Sequence, residues 1–278
     1  MINRSQLKFH ETFQPEVGYI AKILELASAD YSGNKFEISE KTGIPTGNQK
    51  GKVEPHIKYA AYMGLILYKY ETGVYKLGLT PIGKEVYEQD PYLHENLSKW
   101  ICHYGISEKN NGAPQWSFLV NDAHSGFIQG ITPERLFNKT ANIFESNITF
   151  EEAFGVMKRS YLDGFFSALE YLTVDEVAGV FRFNELREKD ELLFVYAYAI
   201  LNSWDKLLPE KTEITLIELM KELSFGKIFG LSDESVSEIL DELGDEDVLA
   251  LNRQLFPATI IRTSTADEMI PRLYSRLL

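Results

Sequence analysis

The chain has 278 residues, 44% of them hydrophobic and 13% aromatic, with a formal net charge of −13 and a pI near 4.9, enough apolar material for a sizeable core in two compact domains. No apolar run reaches the roughly 18 residues that cross a membrane, and Met1-Ile2-Asn3-Arg4-Ser5 leads into a charged stretch rather than a signal-peptide core, so a cytoplasmic protein without a membrane partner is expected. The single cysteine, Cys102, excludes an internal disulfide and a multi-cysteine zinc site.

In chain order, Phe9-His10-Glu11-Thr12-Phe13 precedes Pro15 and a helix whose apolar positions Val17, Ile20, Ile23 or Leu24 and Ala27 recur at helical spacing. His10 between two phenylalanines reads as a hydrogen-bonded structural residue, since no second histidine stands at metal spacing. Phe36 to Thr42 gives a short helix, Gly43-Ile44-Pro45 breaks it, and Val53 to Met63 restores a helical period with Pro55 in the first turn. Thr46 to Lys52 between them predicts a mobile basic loop, whose Gly-flanked Lys50 and Lys52 fit a phosphate contact or a solvated surface. Leu65 to Tyr70 and Val74 to Leu77 are strand-like, joined by Glu71-Thr72-Gly73 as a hairpin loop. Helix, turn, helix and hairpin over 36–87 is the order of a winged helix-turn-helix, with 53–63 as the reading helix and the hairpin as the wing. Gly73 is placed at its tip.

The run Asp90 to Leu97 is expected to open a helix that carries Trp100, Ile101 and Tyr104, closed by Asn110-Asn111-Gly112-Ala113-Pro114. Cys102-His103 is a poor nucleophile and base pair, because adjacent residues on a helix point about 100° apart. Thr132-Pro133 reads as a capped helix start, and a domain boundary is expected between Gly126 and Ile131, dividing the chain into 1–126 and 127–278. Helices are predicted over 144–156, 158–172 and 191–207, with a strand at Val177 to Phe183. Ile214 to Leu223 and Glu234 to Leu243, the latter capped by Ser232, read as helices. Val248 to Leu251 and Thr259 to Arg262 read as a closing hairpin. The fold class expected is mainly α with small β-hairpins (α+β): an N-terminal winged helix-turn-helix, a helical connection and a second winged-helix-like module.

Charge is distributed unevenly. From Lys41 to Lys76, six lysines face two glutamates, a net +4, whereas Asp205 to Asp247 carries thirteen acids against four lysines, a net −9. The first window predicts contact with double-stranded DNA through Lys50, Lys52, His56, Lys58, Lys69 and Lys76; the second would repel phosphate and suits a basic protein partner. No phosphate-cradling glycine loop, paired histidines or nucleophile elbow is present. Asp241-Glu242 and Asp245-Glu246-Asp247 offer oxygen ligands for Mg²⁺ but also the ordinary pattern of a solvated face. Neither a cofactor nor a catalytic residue is expected.

Phe9-His10-Glu11-Thr12-Phe13, Tyr19-Ile20 with Lys22, Gly51-Lys52, Ile57-Lys58-Tyr59, Gly64-Leu65-Ile66, Leu79-Thr80-Pro81-Ile82-Gly83, Asp90-Pro91-Tyr92-Leu93 and Trp100-Ile101-Cys102-His103-Tyr104 resemble, in order and across the first half of the chain, the motifs of the bacterial DUF4007 family. The resemblance implies a protein met beside genes for DNA sulfur modification (phosphorothioation) and phage defence, with other proteins of such an operon as partners. Two departures stand out: Glu16 where the family usually has an arginine, and a turn lengthened to Gly43 through Lys52. The expectation is a non-enzymatic DNA-binding component of such a system; a winged-helix protein-interaction adaptor is the alternative.

Overall fold

The computed structural model describes residues 2–123, 130–140, 143–144, 148–254 and 257–277. Two compact units, Met1–Asn184 and Glu185–Leu278, divide the mixed α+β chain. The boundary expected at 126/127 lies outside the described residues.

The first unit opens with α1 (Arg4–Leu7) and α2 (Val17–Ser28), which buries Ile20, Ile23, Leu24 and Ala27 on one face. After the short strand β1 (Ser32–Gly33), α3 (Lys35–Thr42) starts at Asn34, whose side chain accepts the Phe36 and Glu37 N–H groups while Glu37 returns a bond to the Asn34 amide. Such a reciprocal cap satisfies amides that a helix start leaves unpaired. Helix α4 (Val53–Tyr62) leads into β2 (Ile66–Glu71) and β3 (Val74–Leu79), an antiparallel hairpin with Glu71 opposite Val74. Its two-residue loop places both Thr72 (φ 48°) and Gly73 (φ 83°) in the left-handed region, the geometry that matches the twist of the flanking strands. The sheet order is β1-β3-β2, which leaves β2 at an edge.

Helix α5 (Pro81–Gln89) is capped by Thr80, which accepts the Gly83 N–H at 2.9 Å. Gly83 is dictated by close approach: a Cβ there would stand 1.7 Å from the Leu65 carbonyl oxygen. The buried helix α6 (Asn96–Ser107) begins later than the Asp90 run suggests, because Asp90 spends its carboxylate accepting from the His94 and Glu95 amides and the Ser98 hydroxyl. On α6, Cys102 is fully buried, which pushes its thiol well above the usual range, and His103 Nδ1 meets Tyr161 Oη at 2.6 Å. Helices α7 (Pro114–Ser117) and α8 (Pro133–Thr140) follow, the latter capped as expected by Thr132 onto the Arg135 amide.

The helix expected over 144–156 lies partly outside the described residues; a wide-turn segment Glu151–Gly155 feeds α9 (Val156–Leu162). The continuous helix expected over 158–172 is corrected. It stops at Leu162, the chain turns through Asp163-Gly164, and Leu172 opens strand β4 (Leu172–Asp175), paired with β5 (Val180–Phe183). Tyr161, Phe166, Tyr171 and Phe183 fill this corner with His103.

In the second unit, the buried helix α10 (Leu193–Leu207) is followed by β6 (Glu213–Thr215), α11 (Leu216–Lys221), α12 (Phe225–Phe229) and α13 (Asp233–Asp245). Strands β7 (Leu249–Asn252) and β8 (Thr259–Arg262) and helix α14 (Ala266–Met269) complete it. Its sheet order β6-β8-β7 repeats the β1-β3-β2 order of the first. Ser232 caps α13 through the Ser235 amide, and Val236, Ile239, Leu240 and Leu243 face the core.

Candidate nucleic-acid interface

The alternation of strand side chains sorts the hairpin into two faces. Tyr68, Leu77, Tyr70 and Tyr75 share one, with Tyr70 and Tyr75 rings 4.5 Å apart and Tyr75 Oη donating to Glu54 Oε1 at 2.6 Å. Leu67, Lys69, Glu71 and Lys76 share the other. There Lys69 and Lys76 are direct cross-strand partners, both exposed, and Lys76 Nζ is 3.3 Å from Glu71 Oε2. Two like charges held opposite each other are unfavourable in isolation, and Glu71 offsets only one of them. Leu67 on this face is 70% exposed, and Tyr70 behind it 56%.

Helix α4 does not present the face a base-reading helix needs. Val53, Pro55, His56, Ile57, Tyr59 and Ala60 are buried, which leaves a strip of Glu54, Lys58, Ala61 and Tyr62. Glu54 at the head of that strip is already engaged by Lys35 at 3.4 Å and by Tyr75. Lys58 is partly exposed.

His56 is corrected outright as a surface contact. It is fully buried, its Nδ1 lies 2.6 Å from the Lys52 carbonyl, and its Nε2 accepts the Glu16 N–H at 3.1 Å. Burial drives its pKa down to about 4, so the ring is neutral and carries no charge for a phosphate. It ties the start of α4 to the 11–16 loop.

Lys52 is not free either. Its ammonium lies 2.6 Å from Glu16 Oε1 and within 5.5 Å and 5.3 Å of the Phe13 and Tyr19 ring centres. The hydrogen bond to Glu16 raises its pKa. The loop expected to be mobile is closed by the Lys52 N–H on the Pro45 carbonyl at 2.7 Å. Lys50 is exposed. Among the described residues, Lys50, Lys58 and Lys69 have no carboxylate within ion-pairing distance, and no hydrogen bond or ion pair joins Lys50 or Lys58 to the hairpin. Glu16 stands out in the sequence only by its place opposite an expected arginine; its pairing with Lys52, 36 positions away, has no local signal.

The acidic window of the second unit is satisfied from within only in part. Asp241 pairs with Arg253 at 2.7 Å, Glu246 with Arg272 and with Arg276 at 2.6 Å, Asp205 with Arg262, and Glu218 with Lys211. Asp233, Glu234 and Glu238 at the start of α13 stay exposed, and a hydrogen bond to Glu188 raises the Glu238 pKa. Among the described residues, no group of three or more His, Cys, Asp or Glu is placed to hold a metal ion, and no helix is long and apolar enough to cross a membrane.

The family model described as a protein of unknown function (DUF4007) matches residues 8–269. The chain belongs to the DUF4007 family. A comparison with curated protein sequences gave no match. Among solved structures, the fold is similar to that of SspB. A magnesium ion-bound SspB crystal structure aligns with TM-score 0.76 at 17% identity, and a second SspB crystal structure with TM-score 0.73 at 16% identity. Each alignment covers 96% of this chain and 87% of the other. At such identity the likeness is one of fold, and it spans both units.

Proposed function

We propose that this DUF4007 protein is a non-enzymatic DNA-binding component of a bacterial DNA-modification or phage-defence system, of the phosphorothioation type. In this reading α2, α3, α4 and the β2–β3 hairpin form a winged helix, and the second unit, with its repeated strand order, is a winged-helix-like module. The observation that carries the proposal is the solvent face of the hairpin, where Lys69 and Lys76 stand side by side. Phosphate contacts supply orientation and sequence-independent affinity, which suits a hairpin-led contact with Lys50 and Lys58 as further solvent-accessible cations of the first unit. Base reading by α4 is not part of it, because that helix is enclosed.

Fluorescence anisotropy with a short duplex tests this directly. Binding is expected to weaken with added salt, with the modest slope of a few phosphate contacts, and to differ little between unrelated sequences. Since one SspB structure holds magnesium, supercoiled plasmid incubated with Mg²⁺ is the companion assay. Intact plasmid is the expected result; nicked or linear product overturns the non-enzymatic part of the proposal.

A protein-interaction adaptor is favoured by one separate observation, the exposed acids Asp233, Glu234 and Glu238 on α13. Such a face is steered toward a basic partner and away from DNA. Charge reversal there is expected to remove a basic partner encoded nearby without changing duplex affinity.

A further inference from the structure

Lys52 and Glu16 lie 36 positions apart, yet their ammonium and carboxylate meet at 2.6 Å. Beside them, Glu11 Oε2 accepts the Gly51 N–H at 3.3 Å. The amide and the ammonium of the Gly51-Lys52 step, the two groups there able to hold a phosphate oxygen, are thus both taken by carboxylates of one loop.

That loop is fixed from behind. Thr12 N–H donates to His10 Nδ1, Tyr59 Oη donates to the Phe13 carbonyl at 2.9 Å, and Glu16 N–H donates to His56 Nε2. The rings of Phe13 and Tyr19 flank the ammonium. The pair is nevertheless within reach of solvent, its side chains 26% and 39% exposed. A carboxylate and a phosphate are alternative partners for the same lysine, and a solvent-screened pair is weakly held.

We propose that Glu16 is an internal counter-ion that withholds Lys52 from the DNA backbone and so lowers affinity for duplex DNA. The inference rests on the DNA-binding reading above. It assigns to Glu16 the tuning of the contact, with Lys52 as the cation released when Glu16 loses its charge. The Glu16 backbone bond to His56 does not involve the carboxylate, so Glu16→Gln keeps the loop anchored.

The test is a salt titration of duplex binding by full-length wild type, Glu16→Gln and the double variant Glu16→Gln/Lys52→Gln, with matching thermal melts required of all three. One added phosphate contact steepens the plot of log affinity against log salt by about 0.9, which is an extra loss of about 3.5-fold between 50 and 200 mM salt. Glu16→Gln is expected to bind more tightly than wild type at low salt and to show that added slope, and the double variant to return to the wild-type slope. An unchanged slope in Glu16→Gln overturns the inference, as does a steeper slope that persists in the double variant, since Glu16 would then act through its own charge alone. If wild type binds and Glu16→Gln behaves identically, only this inference fails. If none of the three proteins binds, the DNA-binding reading fails with it.

Discussion

At the scale of single residues, two buried histidines hold the first unit together by accepting backbone N–H bonds. His10 Nδ1 takes the Thr12 amide and His56 Nε2 the Glu16 amide, bonds that those nitrogens can make only when unprotonated. Burial lowers both pKa values to about 4, with Arg159 and Lys8 adding repulsion at His10. In the unfolded chain each returns to about 6.5, so between the two values the unfolded state binds more protons. Their stabilising contribution is complete above the unfolded value and is lost as the pH falls toward 4. Chemical denaturation at about pH 7 and about pH 5 should show a loss on the order of 2 kcal/mol per histidine. Equal stability at the two pH values would show that neither ring is held neutral. His10 is legible as a structural residue from its flanking phenylalanines, whereas His56 is not, because it sits among lysines in the chain and only packing turns it inward.

At the scale of elements, the local signals were strong where chemistry is local. Thr132 with Pro133 and Ser232 start helices where their caps indicate, and Gly73 turns the hairpin. The failures were non-local. Strand β1 is two residues long and exists only because Ser32 and Gly33 pair with Lys76 and Tyr75. Strand β4 was read as the end of a helix because Tyr171-Leu172 continues an apolar run, and α12 escaped notice between two stronger helices. The site fared similarly. Lys69 and Lys76 enter the reading through the charge window and share one hairpin face by strand alternation, whereas the Lys52 to Glu16 pair depends on a loop far off in sequence.

The packing of α5 under the hairpin gives an element-scale prediction. Gly83→Ala places a methyl in the space of the Leu65 carbonyl, and α5 must shift to accept it. The expected cost is about 2 to 4 kcal/mol, of the size seen for overpacked or strained core sites, measured by urea denaturation. A cost below about 0.5 kcal/mol, the range of ordinary surface substitutions, would mean that α5 is loosely seated. Ser232→Ala, which removes the bond to the Ser235 amide, is expected to cost about 1 kcal/mol in the second unit.

At the scale of the whole molecule, DNA binding as proposed sets a few exposed lysines of the first unit against an acidic chain. Some acids of the second unit, Asp205, Asp241 and Glu246 among them, are matched by Arg253, Arg262, Arg272 and Arg276, but many others stay exposed and oppose DNA on that surface. Arg272 also stacks 3.9 Å over the Phe194 ring, which makes it a packing residue as well as a counter-charge. The first unit exposes Lys50, Lys58, Lys69 and Lys76, with Lys52 held back by Glu16. Few phosphate contacts predict modest affinity with a shallow salt dependence, in contrast to proteins that neutralise six to ten phosphates.

The claim on which the rest depends is that the hairpin face touches DNA. It is tested most directly by the salt dependence of duplex binding for wild type and for Lys69→Glu/Lys76→Glu, both being surface changes that spare the tyrosine face of the hairpin. The expected result is a slope shallower by about 2 in the variant, with affinity at low salt reduced at least tenfold. Identical slopes and affinities for the two proteins would contradict it.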